Sequence, residues 1–248
     1  YGRQKTSRKI QLEDRKITAY HEAGHAVVST VIEETDAPHK VTIVPRGRSL
    51  GSTMMIPIKE SYHHQRKRLL GQLAVLFGGR VAEARFCGDI SAGASDDIKR
   101  ATELARAMVT ELGMSERIGP INYAERQGSD FLGTELMSGK WHSEETAREI
   151  DEEISRLLTG AYSRAERFGA ENGVAIEKIT AGLLKYETIT GKEIDKLLAG
   201  VPLEDLREGP PPSAPVTPEV TPVRERPRER RNEGLSGGTA GEPGLSPA

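Results

Sequence analysis

The sequence predicts a mainly α-helical domain that contains a small β element near residues 40–57 and is followed by a disordered tail. Apolar residues recur at helical spacing over most of the chain up to about residue 200. Two strand-like runs, 40–45 and 52–57, interrupt this pattern. Nine of the fourteen prolines lie beyond residue 208, in a segment without aromatic residues that cannot bury a core. We therefore divide the chain into 1–13, 14–205 and a Pro-, Gly- and Arg-rich tail at 206–248.

The individual elements follow from apolar spacing and from residues that start or stop helices. A first helix is predicted over 14–33, and a loop with two glycines joins the two strand-like runs. Ser95, Ser143 and a capping box at Thr190-x-x-Glu193 mark the starts of three later helices. The predicted helices after the β element cover 65–86, 96–112, 143–168, 176–186 and 191–198.

Gly78 and Gly79 conflict with their surroundings, because each glycine costs about 1 kcal/mol relative to alanine inside a helix. Two explanations stay open at the level of sequence. Either another backbone approaches this helix closely, or the segment breaks into two shorter helices.

Charge and composition exclude several classes of protein. Lys and Arg number 35 against 37 Asp and Glu, so no overall basic field attracts nucleic acid, and we expect no nucleic-acid partner. The only cysteine is Cys87, which excludes an internal disulfide, cysteine-based zinc fingers and iron–sulfur clusters. Any metal must be bound through nitrogen and oxygen. No apolar run approaches the ~20 residues that span a bilayer, so the chain as given is expected to be a soluble domain.

The segment His21-Glu22-Ala23-Gly24-His25 in the first helix matches the motif H-E-x-x-H. Four residues make slightly more than one helical turn, so both imidazoles project from one face and can converge on one ion. Glu22 is turned away from that face and can reach a water in an open coordination position without binding the metal itself. The motif predicts a zinc site with His21 and His25 as ligands and Glu22 as general base.

A catalytic zinc ion normally takes three protein ligands and leaves the fourth position for water. The chain lacks the downstream glycine and histidine of a metzincin, having Val28 and Val31 instead. Asp97 is a candidate third ligand, although aspartates in a first turn usually only complement the helix dipole. Spacing alone leaves the choice open among five residues: Asp97, Asp96, Glu83, Asp89 and His39.

Several blocks of this sequence, taken in order, resemble the protease domain of the FtsH family of membrane-anchored AAA+ ATP-dependent zinc metalloproteases. The resemblance extends over about residues 2–200 and does not depend on the H-E-x-x-H motif alone. The blocks include T-A-Y-H-E-A-G-H-A at 18–26, K-V-T-I-V-P-R-G at 40–47, G-G-R-V-A-E at 78–83 and G-A-S-D-D at 93–97.

The resemblance implies roles for individual residues. It makes His21, His25 and Asp97 the ligands of one Zn²⁺ per chain and Glu22 the catalytic base. It also implies that Glu83 is a carboxylate that orients a ligand histidine. The implied reaction is endopeptidase cleavage, in which a metal-activated water attacks the peptide carbonyl.

The resemblance also implies a larger setting. Residues 1–13 would be the linker from an AAA+ ATPase domain, which alone would bind ATP, since this chain has no Gly-x-x-x-x-Gly-Lys-Ser/Thr loop. The parent protein would form a homohexameric ring that degrades unfolded or damaged proteins. It would be membrane-anchored, with this domain facing the cytoplasm in bacteria or the matrix or stroma in organelles. The alternative is an inactive ring-assembly scaffold with a structural zinc.

The run Ser52-Thr53-Met54-Met55 suggests how a substrate binds. An open strand edge there would pair with the main chain of an extended peptide and give affinity with little sequence preference. The alternative is an ordinary structural hairpin.

Overall fold

The computed structural model describes residues 11–45, 50–56, 64–124 and 142–207. The expectations that fall on other residues lie outside this part of the chain. These expectations concern residues 1–10 of the predicted linker, most of the loop between the two strand-like runs, Pro57, and the tail from residue 208 onward.

Six α-helices and three short strands make up the described fold, which confirms the predicted mainly α class. None of these helices is both long enough and apolar enough to cross a bilayer, a statement that covers the described residues alone. The helices are α1 Leu12–Val31, α2 Arg66–Phe86, α3 Ser95–Thr110, α4 Glu144–Glu171, α5 Gly173–Tyr186 and α6 Gly191–Leu198. The strands are β1 Pro38–Thr42, β2 Ser52–Met55 and β3 Thr188–Thr190.

The strands form an antiparallel sheet in the order β2-β1-β3. Val41 in the central strand pairs with Thr53 on one side and with Ile189 on the other. Both Val41 and Ile189 are fully buried, so the register of the sheet is fixed by its apolar face. The strand β3 was not predicted, because three residues between two helices are too few to show an alternating pattern.

Two apolar clusters stabilise the domain. One lies among α2, α3 and α4 and includes Leu73, Met108 and Leu157. The other joins α1 to the sheet, α5 and α6, and includes Val27 and Ile179. Helix α1 also supplies residues to the first cluster, so it lies between the two and is held on several sides. This packing gives a rigid base to the side chains that α1 presents.

Gly24 of α1 packs directly on Gly78 of α2. A Cβ atom added to Gly24 would lie 2.2 Å from the carbonyl oxygen of Gly78, and one added to Gly78 would lie 2.8 Å from that of Gly24. Helix α2 is continuous through Gly78 and Gly79. Close backbone approach is therefore the correct explanation of the glycine pair, and the predicted alternative of a helix break is wrong.

Two of the three predicted helix caps are present. The Ser143 side chain accepts a hydrogen bond from the Thr146 amide, and Thr190 forms a complete capping box with Glu193. The prediction for Ser95 is wrong, since Ser95 is the first helical residue of α3 and Ala94 occupies the cap position. A single 3-10 turn at Ala92–Ala94 leads into α3 and replaces a side-chain cap.

Candidate metal centre

The two histidines of the H-E-x-x-H motif face one another at one turn's separation on α1. Their Nε2 atoms lie 3.0 Å apart, and both residues are at least nine-tenths buried. The helical spacing that the sequence predicts therefore does bring the two imidazoles together. Gly79 makes room for the first of them, because a Cβ atom there would lie 2.5 Å from Cε1 of His21.

The opposite ring nitrogens are both engaged by α2. Nδ1 of His21 lies 2.7 Å from Oε1 of Glu83, and Nδ1 of His25 lies 2.7 Å from the carbonyl oxygen of Val75. A carbonyl oxygen only accepts hydrogen bonds, so Nδ1 of His25 carries the proton and its Nε2 lone pair is free. The carboxylate of Glu83 favours the same tautomer in His21.

Asp97 approaches this pair from the first turn of α3. Its Oδ2 atom lies 3.2 Å from Nε2 of His21 and 3.4 Å from Nε2 of His25. The three potential ligand atoms all lie within 4.8 Å of one another. Within the described ranges, no other group of three histidine, cysteine or acidic side chains has such geometry.

The other candidates for a third ligand lie elsewhere. Asp96 and His39 are exposed, and the Asp89 carboxylate accepts a hydrogen bond from the Ile90 amide. Glu83 lies behind His21, on the Nδ1 side of the ring, where its second oxygen accepts from the Ser91 amide. The geometry thus separates Asp97 from its neighbour Asp96, which spacing alone did not.

The three facing atoms fit a zinc ion in both chemistry and separation. Ligands at ~2.0–2.1 Å from zinc in a tetrahedral arrangement lie roughly 3.3 Å from one another. The observed separations of 3.0, 3.2 and 3.4 Å match this value. Two neutral imidazoles and one carboxylate are also a donor set that zinc uses in hydrolytic enzymes.

The electrostatics of the cluster favour positive charge at the same place. Burial alone would lower the pKa of His21, but hydrogen bonds to Asp97 and Glu83 outweigh it and raise the pKa to about 10. Burial tends to raise the pKa of the Asp97 carboxyl, yet the two histidines hold it well below its ordinary value. The same carboxylates that stabilise a positive charge on His21 would also attract a metal cation placed between these side chains.

Glu22 follows His21 in sequence, but its side chain makes different contacts from those of the three facing residues. Its side chain is buried at 6% exposure, and burial raises the pKa of its carboxyl despite the nearby His25. The Thr53 hydroxyl donates to Oε2 of Glu22 over 2.6 Å. A Cβ atom added to Gly51 would lie 2.6 Å from Oε1 of Glu22, so Gly51, just before β2, borders one carboxylate oxygen and Thr53 of β2 contacts the other.

The cluster opens into a groove of about 1200 Å³. Residues of β2 line the groove together with side chains of α1, α2 and α3, among them Thr53, Met54, Leu76, Arg68 and Leu104. Both apolar and charged side chains line the groove.

Sequence reasoning missed three contributors to this site. The carbonyl of Val75 orients His25, and a backbone oxygen leaves no signal in residue identity. Gly51 precedes β2 and borders Glu22, and the Thr53 hydroxyl contacts Glu22 from β2, 31 residues away in sequence. A hydroxyl at that distance in sequence can be paired with its acceptor only once the sheet register is known.

Comparison with known proteins supports a common architecture over most of the chain. Residues 8–197 match the model of peptidase family M41. The chain is 46% identical over 198 residues to the ATP-dependent zinc metalloprotease FtsH 2 of Methylacidiphilum infernorum (isolate V4), a match that covers 80% of this chain and 31% of that protein.

Two other relatives are the ATP-dependent zinc metalloproteases FtsH of Bacillus subtilis (strain 168) and of Myxococcus xanthus (strain DK1622). The first is 43% identical over 198 residues, which covers 79% of this chain and 31% of that protein. The second is 39% identical over 225 residues, which covers 91% of this chain and 35% of that protein. The chain spans about a third of the length of the curated relatives that it matches.

Proposed function

The chain belongs to peptidase family M41, the family of the FtsH protease domain, and from this membership we propose that it is a zinc-dependent endopeptidase module. The proposed substrates are unfolded or damaged polypeptides. The proposed ligands of the zinc are His21, His25 and Asp97, with Glu22 as the general base.

One observation carries this proposal: Nε2 of His21, Nε2 of His25 and Oδ2 of Asp97 face a common point, while Glu22 stands beside them and outside the set. A purely structural zinc site would take a fourth protein ligand and would gain nothing from a buried carboxylate at this position. Three protein ligands with an adjacent carboxylate are the arrangement that hydrolysis requires.

In the proposed mechanism, zinc would polarise the scissile carbonyl and lower the pKa of a coordinated water to about 7. Glu22 accepts a proton from the attacking water and returns it to the leaving amine. Burial raises the pKa of the Glu22 carboxyl. A higher pKa makes the carboxylate a stronger base and so favours the transfer of a proton to it from water. Glu83 and the Val75 carbonyl hold the two imidazoles in the tautomer that leaves Nε2 free.

The strand β2 is the proposed binding surface for the substrate main chain. It lies at one edge of the sheet, with β1 as its only strand partner among the described residues, and it lines the groove. An extended peptide added to that edge would pass close to Glu22, since Thr53 of the same strand contacts it. Replacement of Met54 by proline should raise KM for peptides if this surface is used.

The names of the relatives describe them as ATP-dependent zinc metalloproteases. We propose that the module acts with a covalently linked AAA+ ATPase domain in a membrane-anchored homohexamer, where ATP drives the unfolding of substrates. Under this proposal the module degrades loose polypeptides, whereas stably folded proteins require the ATPase.

Cleavage of an unstructured protein such as casein by the zinc-loaded chain tests the proposed function. We expect cleavage that a chelator abolishes and zinc restores, and a loss of at least ~10²-fold in Glu22→Gln with zinc retained. Glu13→Gln, an exposed change in the same helix, is the matched control and should cleave normally. A zinc-replete chain that leaves casein intact would instead favour an inactive assembly scaffold.

A further inference from the structure

The carboxylate of Glu22, the proposed general base, is bordered by one short segment, Gly51 to Thr53. This segment contains the start of strand β2. The Thr53 hydroxyl lies 2.6 Å from Oε2 of Glu22 and 3.3 Å from its main-chain carbonyl oxygen. The shorter contact is a charge-assisted hydrogen bond of the strong kind. A Cβ atom added to Gly51 would lie 2.6 Å from Oε1, the other carboxylate oxygen, so a side chain at position 51 would require Glu22 to move.

The position of the Thr53 hydroxyl is set by the core of the domain and not by the groove. Thr53 pairs with Val41, which is fully buried and which also pairs with Ile189 on its other side. A shift of one residue in this register would turn Thr53 to the other face of the strand. In the direction that brings Met54 to this place, such a shift would also replace the hydroxyl by a side chain that cannot donate a hydrogen bond to Glu22.

A buried carboxylate on a flexible side chain has several rotamers, and a general base works only in the one that points at the reacting water. One oxygen of Glu22 is engaged by a donor fixed to the sheet, and the approach of Gly51 limits where the other oxygen lies. We infer that Thr53 is a positioning residue for the general base. The absence of a side chain at Gly51 leaves the space that the Glu22 carboxylate occupies in this orientation. The inference rests on the proposed function, in which Glu22 is that base.

This arrangement has a consequence for substrate binding. The strand that positions Glu22 is also an edge strand of the sheet formed by the described residues, and it lines the groove. A peptide that pairs with β2 would add main-chain hydrogen bonds to it and hold Thr53 more firmly against Glu22. Binding of an extended substrate and orientation of the base are thereby coupled through one element.

The test compares Thr53→Val with Thr53→Ser in the zinc-loaded 248-residue chain, using an unstructured fluorogenic peptide. Valine keeps the shape of threonine and removes the donor, whereas serine keeps the donor. We expect kcat of Thr53→Val to fall roughly 10- to 100-fold with KM changed less than about twofold, and Thr53→Ser to recover most of kcat. Thr159→Val, an exposed change on α4, is the matched control and should retain full kcat.

Two further readouts separate positioning from damage to the site. Zinc content should stay at one ion per chain in Thr53→Val, because Thr53 contacts none of the three proposed ligands. A crystal structure of Thr53→Val should show the Glu22 carboxylate rotated away from its wild-type position, and one of Thr53→Ser should show it unmoved.

The inference is overturned if Thr53→Val keeps kcat within about twofold of the wild type, if Thr53→Ser is as impaired as Thr53→Val, or if the loss appears in KM alone. These results are distinct from a failure of the proposed function. If the proposed function were wrong, the wild-type chain itself would not cleave the peptide, or Glu22→Gln would cleave it as well as the wild type does.

Discussion

Nδ1 of His21 lies 2.7 Å from Oε1 of Glu83, although the two residues are 62 positions apart. Glu83 is 1% exposed, and its other oxygen accepts a hydrogen bond from the Ser91 amide. One carboxylate therefore fixes the ring of a proposed metal ligand and at the same time anchors the segment that leads into α3. Since α3 carries Asp97, Glu83 links the positions of two of the three proposed ligands.

Replacement of Glu83 should weaken metal binding without removing a ligand. We expect Glu83→Gln to lower zinc affinity about 10-fold and Glu83→Ala up to about 100-fold, because His21 loses the acceptor that sets its tautomer and orientation. Competition with a chromophoric chelator measures the affinity. Glu166→Gln, an exposed change on α4, serves as the control and should bind zinc normally. Unchanged affinity in Glu83→Ala would show that His21 needs no such partner.

Gly79→Ala should disrupt the metal centre through packing alone. The new Cβ would lie 2.5 to 2.7 Å from three atoms of the His21 ring, so the imidazole must move out of the cluster. We expect zinc content to fall well below one ion per chain by elemental analysis. The control is Gly160→Ala on α4, where a Cβ meets no atom within 4 Å. That change should preserve zinc and raise the free energy of unfolding by up to about 1 kcal/mol. Full zinc occupancy in Gly79→Ala would contradict the observed packing.

The two adjacent acids at the start of α3 should behave differently. Asp97→Ala removes a facing oxygen and should lose zinc during dialysis, whereas Asp96→Ala changes an exposed side chain and should keep it. Elemental analysis of both variants after identical dialysis measures the difference. Stoichiometric zinc in Asp97→Ala together with loss in Asp96→Ala would reverse the assignment.

Glu153 predicts a specific dependence of stability on pH. Hydrogen bonds from Arg156 and from Ser115 lower the pKa of its buried carboxyl, although burial opposes them. A carboxyl whose pKa is lower in the folded state stabilises the fold above its unfolded-state pKa, and this contribution is lost as pH falls through the folded-state pKa. Glu153→Gln should therefore lower the free energy of unfolding at pH 7 by about 1 kcal/mol, and the deficit should shrink below about pH 4.

Urea unfolding of wild type and Glu153→Gln across this pH range provides the measurement. The matched control is Glu152→Gln, whose side chain is half exposed and pairs with Arg117 at the surface. Such exposed pairs contribute roughly 0–1 kcal/mol, so this variant should differ little from the wild type at any pH. A deficit in Glu153→Gln that does not change with pH would mean that the charge of Glu153 is irrelevant to it.

Much of the fold was predictable because its helices are long and regularly patterned. The predicted helix at 191–198 coincides with α6, whose capping box at Thr190 is a local signal, and most other helix boundaries differ by one to three residues. The strand β3 was not predicted, since it has only three residues, and the expected Ser95 cap is wrong because a 3-10 turn leads into α3. The 3-10 turn depends on tertiary contacts such as the Ser91 amide on Glu83.

In the candidate site too, the residues that could be proposed from sequence are those that local helical spacing brings together. His21, Glu22 and His25 could be proposed from spacing because one helical turn brings them together, and no tertiary information is needed. The third ligand could not be proposed in this way, since Asp96 and Asp97 are adjacent and only the packing of α3 on α2 and α4 decides which of them faces the histidines. The roles of Thr53 and of the Val75 carbonyl depend on sheet register and helix packing, which residue identity does not encode locally.

A diffraction experiment at the zinc edge on crystals of this chain grown with zinc tests the central claim most directly. We predict one strong anomalous peak within about 2.2 Å of Nε2 of His21, Nε2 of His25 and a carboxylate oxygen of Asp97, with Glu22 outside bonding distance. A map with no peak between these three side chains, or with the ion bound elsewhere in the chain, would contradict it.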